Sequence, residues 1–162
     1  MNIYVCIKHV PDSAATITIE GKNAINEKIT FLVNPYDEHA ITEAARIKAS
    51  RPDVEVVAVC LGKAAAENSL RSAMAMGADR SILIETDRPA DSILTARALA
   101  AAIAKDGEPW IILTGKESID SEGMQTHFRL AANLGVPVAT NAVKLAAEEK
   151  SLLVECEREA GT

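Results

Sequence analysis

The chain has 162 residues, 48% of them hydrophobic but only 3% aromatic, and a net charge of −6 at neutral pH. A domain of this size buries roughly 70% of its unfolded surface and builds a core without metals or disulfides. So few stacking rings and no run of Lys or Arg exclude a single-stranded nucleic-acid or carbohydrate platform and a duplex-binding surface. A small phosphate held by backbone amides remains open.

Asn2–Ile7 reads as a buried strand, short, apolar and rich in β-branched residues. His9–Asp12 is expected to leave the sheet through a turn. Thr16–Ile19 and Lys28–Val33 alternate around Gly21-Lys22-Asn23 and predict a small hairpin-like excursion. Asn34-Pro35-Tyr36-Asp37 marks a helix start, with Pro35 in the first turn and Asn34 placed to cap free amides. That helix runs to about Ser50, with Ala40, Ile41, Ala44, Ala45 and Lys48 on one face.

Val54–Leu61 is the next strand, apolar except at Glu55, as expected when both faces are covered. A helix over Ala64–Met76 closes at Gly77. Ser81–Glu85 is a third strand. Asp91–Lys105 is a third helix, capped by Asp91 or Ser92. Trp110–Thr114 is a fourth strand, and Glu122–Leu134 a fourth helix closed by Gly135. Val138–Leu145 and Leu152–Glu157 read as two further strands around the polar turn Glu148-Glu149-Lys150. Strands alternating with helices imply right-handed crossovers and a doubly wound, mainly parallel α/β sheet with helices on both faces. No linker divides the chain, so residues 1–162 are expected to form one domain.

In open α/β sheets ligands bind beyond the carboxyl ends of the strands. The segments Lys8–Asp12, Leu61-Gly62, Glu85–Asp87 and Gly115–Thr126 end there. The last is long, polar and rich in Gly, Ser and Thr, and it leads into a helix whose first amides and dipole favour an anion. It matches neither a Walker loop nor a G-x-G-x-x-G fingerprint. On spacing alone it reads as either a phosphate cradle or an ordinary polar connection. His9, His39 and His127 share no metal-ligand spacing with carboxylates or cysteines and read as surface or satisfied residues. Cys6, Cys60 and Cys156 are far apart, and Cys6 and Cys60 lie in apolar runs as buried thiols. The odd cysteine count, with no visible secretory signal and no membrane-spanning run, predicts a cytoplasmic protein. Met74–Arg80 reads as helix packing, a glycine C-cap and entry to the next strand.

Taken together, four segments resemble the beta subunit of electron transfer flavoproteins. Ile3–Asp12 is similar to the family's first strand and turn. Asn34-Pro35-Tyr36-Asp37-Glu38, with Ala40, Glu43 and Ala44, resembles its N-P-[FY]-[DC]-E signature. Arg71 and Ala73–Arg80 resemble its R-x-A-[LM]-A-[MI]-G-A-D-R segment. Gly115-Lys116, Ile119-Asp120 and Gln125-Thr126 resemble its G-K-x-x-I-D…Q-T loop.

The resemblance covers the chain in order and implies a Rossmann-like fold of the adenine nucleotide alpha hydrolase-like type. It implies an electron-carrier subunit, not an enzyme, with no catalytic residues and no metal. The site would hold AMP, or FAD in electron-bifurcating relatives. Cys6 would line the adenine side, Asn34, Pro35, Tyr36 and Asp37 would flank the nucleotide, and Leu61 would abut the base or ribose. Gly115, Lys116, Ser118, Ile119, Asp120, Ser121, Gly123, Gln125 and Thr126 would wrap the ribose and phosphate. Loop amides with Ser121, Gln125 and Thr126 would supply polar contacts. The implied partners are a flavin-carrying alpha subunit, in a heterodimer, and dehydrogenases met through that complex. Family chains continue past the equivalent of Thr162, so a chain truncated at its C-terminus, at Glu159-Ala160-Gly161-Thr162, is expected. The alternative reading is a stand-alone adenine-nucleotide-binding sensor or stress-type domain of the same fold. Ser121-Glu122-Gly123-Met124 departs from the Asp-rich version of the loop common in the family.

Overall fold

A computed structural model describes residues 1–22, 24–148, 151–159 and 161. Its centre is a parallel sheet of four strands: β1 (Asn2–Ile7), β6 (Glu55–Gly62), β7 (Arg80–Glu85) and β8 (Pro109–Thr114), in the order β7-β6-β1-β8. β1 pairs with β6 from Asn2 opposite Glu55 to Ile7 opposite Cys60, and with β8 on its other side. The chain therefore builds outward from β1 in one direction and then returns to β1's opposite edge. This reversal is the sheet's switch point, where the topology predicts a crevice between the connections that leave β1 and β8.

The apolar runs of β1 and β6 are continuous because both faces of the sheet are covered. Ile3, Val5, Ile7, Val56, Ala58 and Cys60 pack under α1 (Pro35–Ser50) and α2 (Glu67–Ala75), against Ala40, Ile41, Ala44, Ile47, Leu70 and Ala73. Tyr4, Cys6, Val57 and Val59 face α3 (Ser92–Asp106) and α4 (Thr126–Leu134), against Ala96, Leu99, Ala100, Ile103 and Leu130. Each fully buried aliphatic side chain, Ile3, Ile41 and Ile103 among them, contributes about 1.5–3 kcal/mol.

Met74–Arg80 closes α2 at a glycine and enters β7 as expected, but Met74, Ala75 and Met76 are exposed and form no packing face. Gly77 sits at φ +131°, and a Cβ there would lie 2.8 Å from the Ala45 Cβ, so this glycine lets α2 close against α1. Asp79 accepts the Val56 amide at 2.8 Å and pairs with Lys48. Arg80 forks onto Asp106 at 2.9 and 2.7 Å and reaches Glu55 at 3.1 Å. The Tyr4 hydroxyl donates to the same Asp106 at 2.8 Å. Together these contacts close the amino-terminal end of the sheet, where the Arg51 guanidinium also lies 4.8 Å from the Trp110 ring centroid.

Several boundaries differ from expectation. His9–Pro11 is not a turn but a short strand, β2, paired antiparallel with β5 (Phe31–Val33). The excursion between them closes through β3 (Ile19–Glu20) and β4 (Ala24–Ile25), so Thr16–Ile19 does not pair with Lys28–Val33 as the alternation suggests. Asn23 of its turn lies outside the described residues. The second helix begins as a 3-10 turn, Ala64–Ala66. The third is capped by Asp91, which accepts from the Ile93 and Leu94 amides. The last two strands, β9 (Ala142–Ala147) and β10 (Leu152–Cys156), form their own antiparallel pair. Residues 149 and 150 of its polar turn, and 160 and 162 at the chain's end, lie outside the described residues. Among the described residues no helix is long and apolar enough to cross a membrane.

Candidate functional site

One side chain from α1 ties together the carboxyl ends of β1 and β8. Asp37 is 5% exposed. Its Oδ2 accepts the Lys8 amide at 2.8 Å and its Oδ1 the Gly115 amide at 3.0 Å. Lys8 is the first residue beyond β1 and Gly115 the first beyond β8, so the carboxylate bridges the two strand ends. Burial pushes the Asp37 carboxyl up to about 6, against the opposing effect of these two amides and the Asn34 and Lys8 side chains. A Cβ on residue 115 would lie 2.4 Å from Asp37 Oδ1 and 2.7 Å from Tyr36 Cβ, so only glycine lets the strand end approach α1 this closely.

Asn34 completes the tie. It occupies the N-cap position of α1, yet its side chain makes no capping bond, contrary to expectation. Nδ2 instead donates to the Glu117 carbonyl at 2.8 Å, and Oδ1 accepts the Ile119 amide at 3.1 Å. Pro35 at the first helical position has no N–H to satisfy, which lowers the demand for a cap. The side chain thus shapes a loop 83 residues away in sequence.

Beyond it the loop folds onto itself around Lys8. Nζ lies 3.2 Å from Ser118 Oγ, 2.7 Å from Asp120 Oδ1 and 3.3 Å from Ser121 Oγ, and the two serine hydroxyls are 2.8 Å apart. Burial pushes the Asp120 carboxyl up, but the Lys8 ammonium and the Ser118 hydroxyl outweigh it and hold the group below the usual carboxylate range. Lys116 lies 5.3 Å from the Tyr36 ring centroid and 3.4 Å from Glu117 Oε1.

The fourth helix does not start at Glu122. Glu122 and Met124 take left-handed conformations at φ 47° and 48°, and α4 begins at Thr126. Non-glycine residues with such angles are uncommon and concentrate at ligand-binding segments. Gln125, at the cap position, makes no side-chain capping bond, so the first-turn amides of α4 lack the cover that Asp91 gives α3.

The structure therefore brings Asn34, Asp37, Gly115, Ser118, Ile119, Asp120 and Ser121 into one network and sets Tyr36 beside Lys116. Leu61 is the last residue but one of β6, the strand beside β1. Cys6 is 7% exposed between Val59 and Thr114, its thiol pushed up to about 12 by burial, with Asp37 and Cys60 adding to the shift, so it stays neutral. Pro35 starts α1, Gly123 has open space around it, and Gln125 and Thr126 lead into α4. Lys8 was not singled out by sequence reasoning. Its signal was present: a cation at the first position after an apolar strand. His9 is satisfied, 2.8 Å from Ser69 Oγ and stacked on Phe31. Among the described residues no His, Cys, Asp and Glu side chains gather as a metal site.

The chain is thus of the doubly wound α/β class, with a braced polar loop at the switch point of its sheet. The family model described as the electron transfer flavoprotein domain matches residues 22–162. The chain belongs to this family. It is similar to an electron transfer flavoprotein subunit beta of Bradyrhizobium diazoefficiens, 35% identical over 163 residues, covering 99% of this chain and 65% of that one. A subunit of the same name from Syntrophomonas wolfei is 38% identical over 85% of this chain and 54% of its own length. The caffeyl-CoA reductase-Etf complex subunit CarD of Acetobacterium woodii is 34% identical over 99% of this chain and 63% of its own. The chain spans about three-fifths of the length of these curated relatives.

Proposed function

We propose that the chain acts as one nucleotide-binding unit of an electron transfer flavoprotein beta subunit, holding AMP or FAD in the crevice between β1 and β8. The observation that carries this reading is the loop Gly115–Gln125, braced by Asp37 and Asn34 and ending on the uncapped first turn of α4. Such a turn receives a phosphate through free N–H groups and the helix dipole. The hydroxyls of Ser121 and Thr126 and the Gln125 side chain add polar partners. Leu61 and the backbone at Cys6 offer the less polar wall against which a base rests. A bound FAD supplies a redox centre, whereas AMP serves as a structural cofactor. The protein's own contribution is to bind and orient. Its partners in this reading are a flavin-carrying alpha subunit and, through it, donor dehydrogenases, in the cytoplasm.

Mass spectrometry of the purified protein tests the site directly, followed by calorimetric titration of the stripped protein with AMP and with FAD. Retained AMP or FAD, or saturable binding of either, supports the reading. Loss of both signals refutes it. Co-purification of an alpha subunit from the native host tests the partner.

A further inference from the structure

The loop poses an electrostatic difficulty for any anion. Between Gly115 and Thr126 it carries one lysine against three carboxylates, Glu117, Asp120 and Glu122. Lys116 is already engaged by Glu117 and the Tyr36 ring. We infer that Lys8 is a positioning residue that cancels the charge of Asp120 and holds the Ser118–Ser121 turn in shape, so that an acidic loop can accept a phosphate through its amides and hydroxyls. This rests on the nucleotide reading above and assigns that site its counter-ion.

Lys8 is fixed before its side chain begins. Its amide donates to Asp37, and its carbonyl accepts the Asn34 amide at 3.0 Å. The side chain then crosses the crevice. An ammonium has three N–H donors, and Nζ has three loop oxygens within reach, on Ser118, Asp120 and Ser121. The donors are thus matched inside the loop. Asp120, held below the usual carboxylate range, is ionised at neutral pH, and its charge needs a balance beside a phosphate. The Lys8 and Asp120 side chains are 44% and 28% exposed, so the pair adds little to global stability. Its effect lies in local charge and loop geometry.

The variants Lys8→Met, Asp120→Asn and the double variant test this, with calorimetric titration of AMP and adenosine. Lys8→Met leaves Asp120 unbalanced and should weaken AMP about tenfold, as one charge a few ångströms away does in a partly solvated site, while adenosine changes far less. Adding Asp120→Asn should restore most of the AMP affinity. If Lys8 instead grips the phosphate itself, the double variant stays as weak as Lys8→Met, and the proposal is overturned. A second arm needs no nucleotide. Amide exchange across Ser118–Glu122 in the ligand-free protein should quicken equally in both single variants, and unchanged exchange would also overturn the proposal. If exchange responds while the wild type binds neither AMP nor FAD, the clasp stands and the nucleotide reading falls.

Discussion

Asp37→Asn separates two effects that act on the same buried carboxylate. In the folded protein burial lifts its pKa from an ordinary 3.8 to about 6. At 1.36 kcal/mol per pKa unit, this corresponds to about 3 kcal/mol of linkage between protonation and folding. The folded state keeps the proton to higher pH than the unfolded state. The stability linked to this group is therefore complete below the unfolded value and lost as pH rises through about 6. Asparagine does not titrate, but it offers one oxygen and one NH2 to two backbone donors, the amides of Lys8 and Gly115. One amide is left facing another donor, at a cost of about 1–3 kcal/mol. At about pH 4 the variant should be less stable than the wild type by roughly that amount. Towards about pH 7 the wild type loses its linked stability and the gap closes or reverses. Urea unfolding of both proteins at a series of pH values measures the difference. A gap that is constant, or that widens in favour of the wild type as pH rises, would refute the assignment of a raised pKa to Asp37.

Gly115→Ala must place a Cβ 2.4 Å from Asp37 Oδ1. It should cost about 1–3 kcal/mol in urea unfolding and weaken AMP, whereas Gly123→Ala, with nothing within 4 Å, should change stability little. Tyr4→Phe removes the bond to Asp106 and should cost about 1–2 kcal/mol near neutral pH. Burial, with the bond to Asp106 adding to it, raises the Tyr4 pKa, so the wild type also loses linked stability above about pH 10, where the phenol ionises more readily in the unfolded chain. The phenylalanine variant should show less of this alkaline loss by circular dichroism. Cys6 and Cys60 are buried, their thiols pushed up to about 12 and about 11 by burial first of all, while Cys156 is only half-buried. A thiol-specific chromophore at about pH 8 should therefore titrate one cysteine quickly and the other two only on unfolding. Three fast thiols would contradict the packing of β1 and β6.

The parallel core was legible because β1 and β6 are covered on both faces, which leaves continuous apolar runs that no other arrangement of this chain explains so simply. The braced loop was legible as a long polar connection at a strand's carboxyl end. Its supports were not. Asn34 has the spacing of a cap, and nothing local shows that its side chain bonds Glu117 and Ile119 instead. The start of α4 was misplaced because Glu122 and Met124 have ordinary helical propensities, and left-handed angles at such residues follow from tertiary context. Pairs as short as β2–β5 and β3–β4 are held by neighbours, not by pattern. Lys8 gains its meaning from oxygens 110 to 113 residues away.

The chain's one tryptophan, Trp110, sits beneath Arg51 near the amino-terminal end of β8. The crevice lies at the other end of that strand, roughly 16 Å along it. The indole is thus an optical probe of folding that would not touch a nucleotide held in that crevice. Its emission should shift when the sheet's lower end opens and stay unshifted when AMP enters above. A flavin absorbs where tryptophan emits, so FAD in the same crevice would dim that emission by energy transfer without shifting it. The position of one aromatic ring gives a colour-based way to tell the two nucleotides apart.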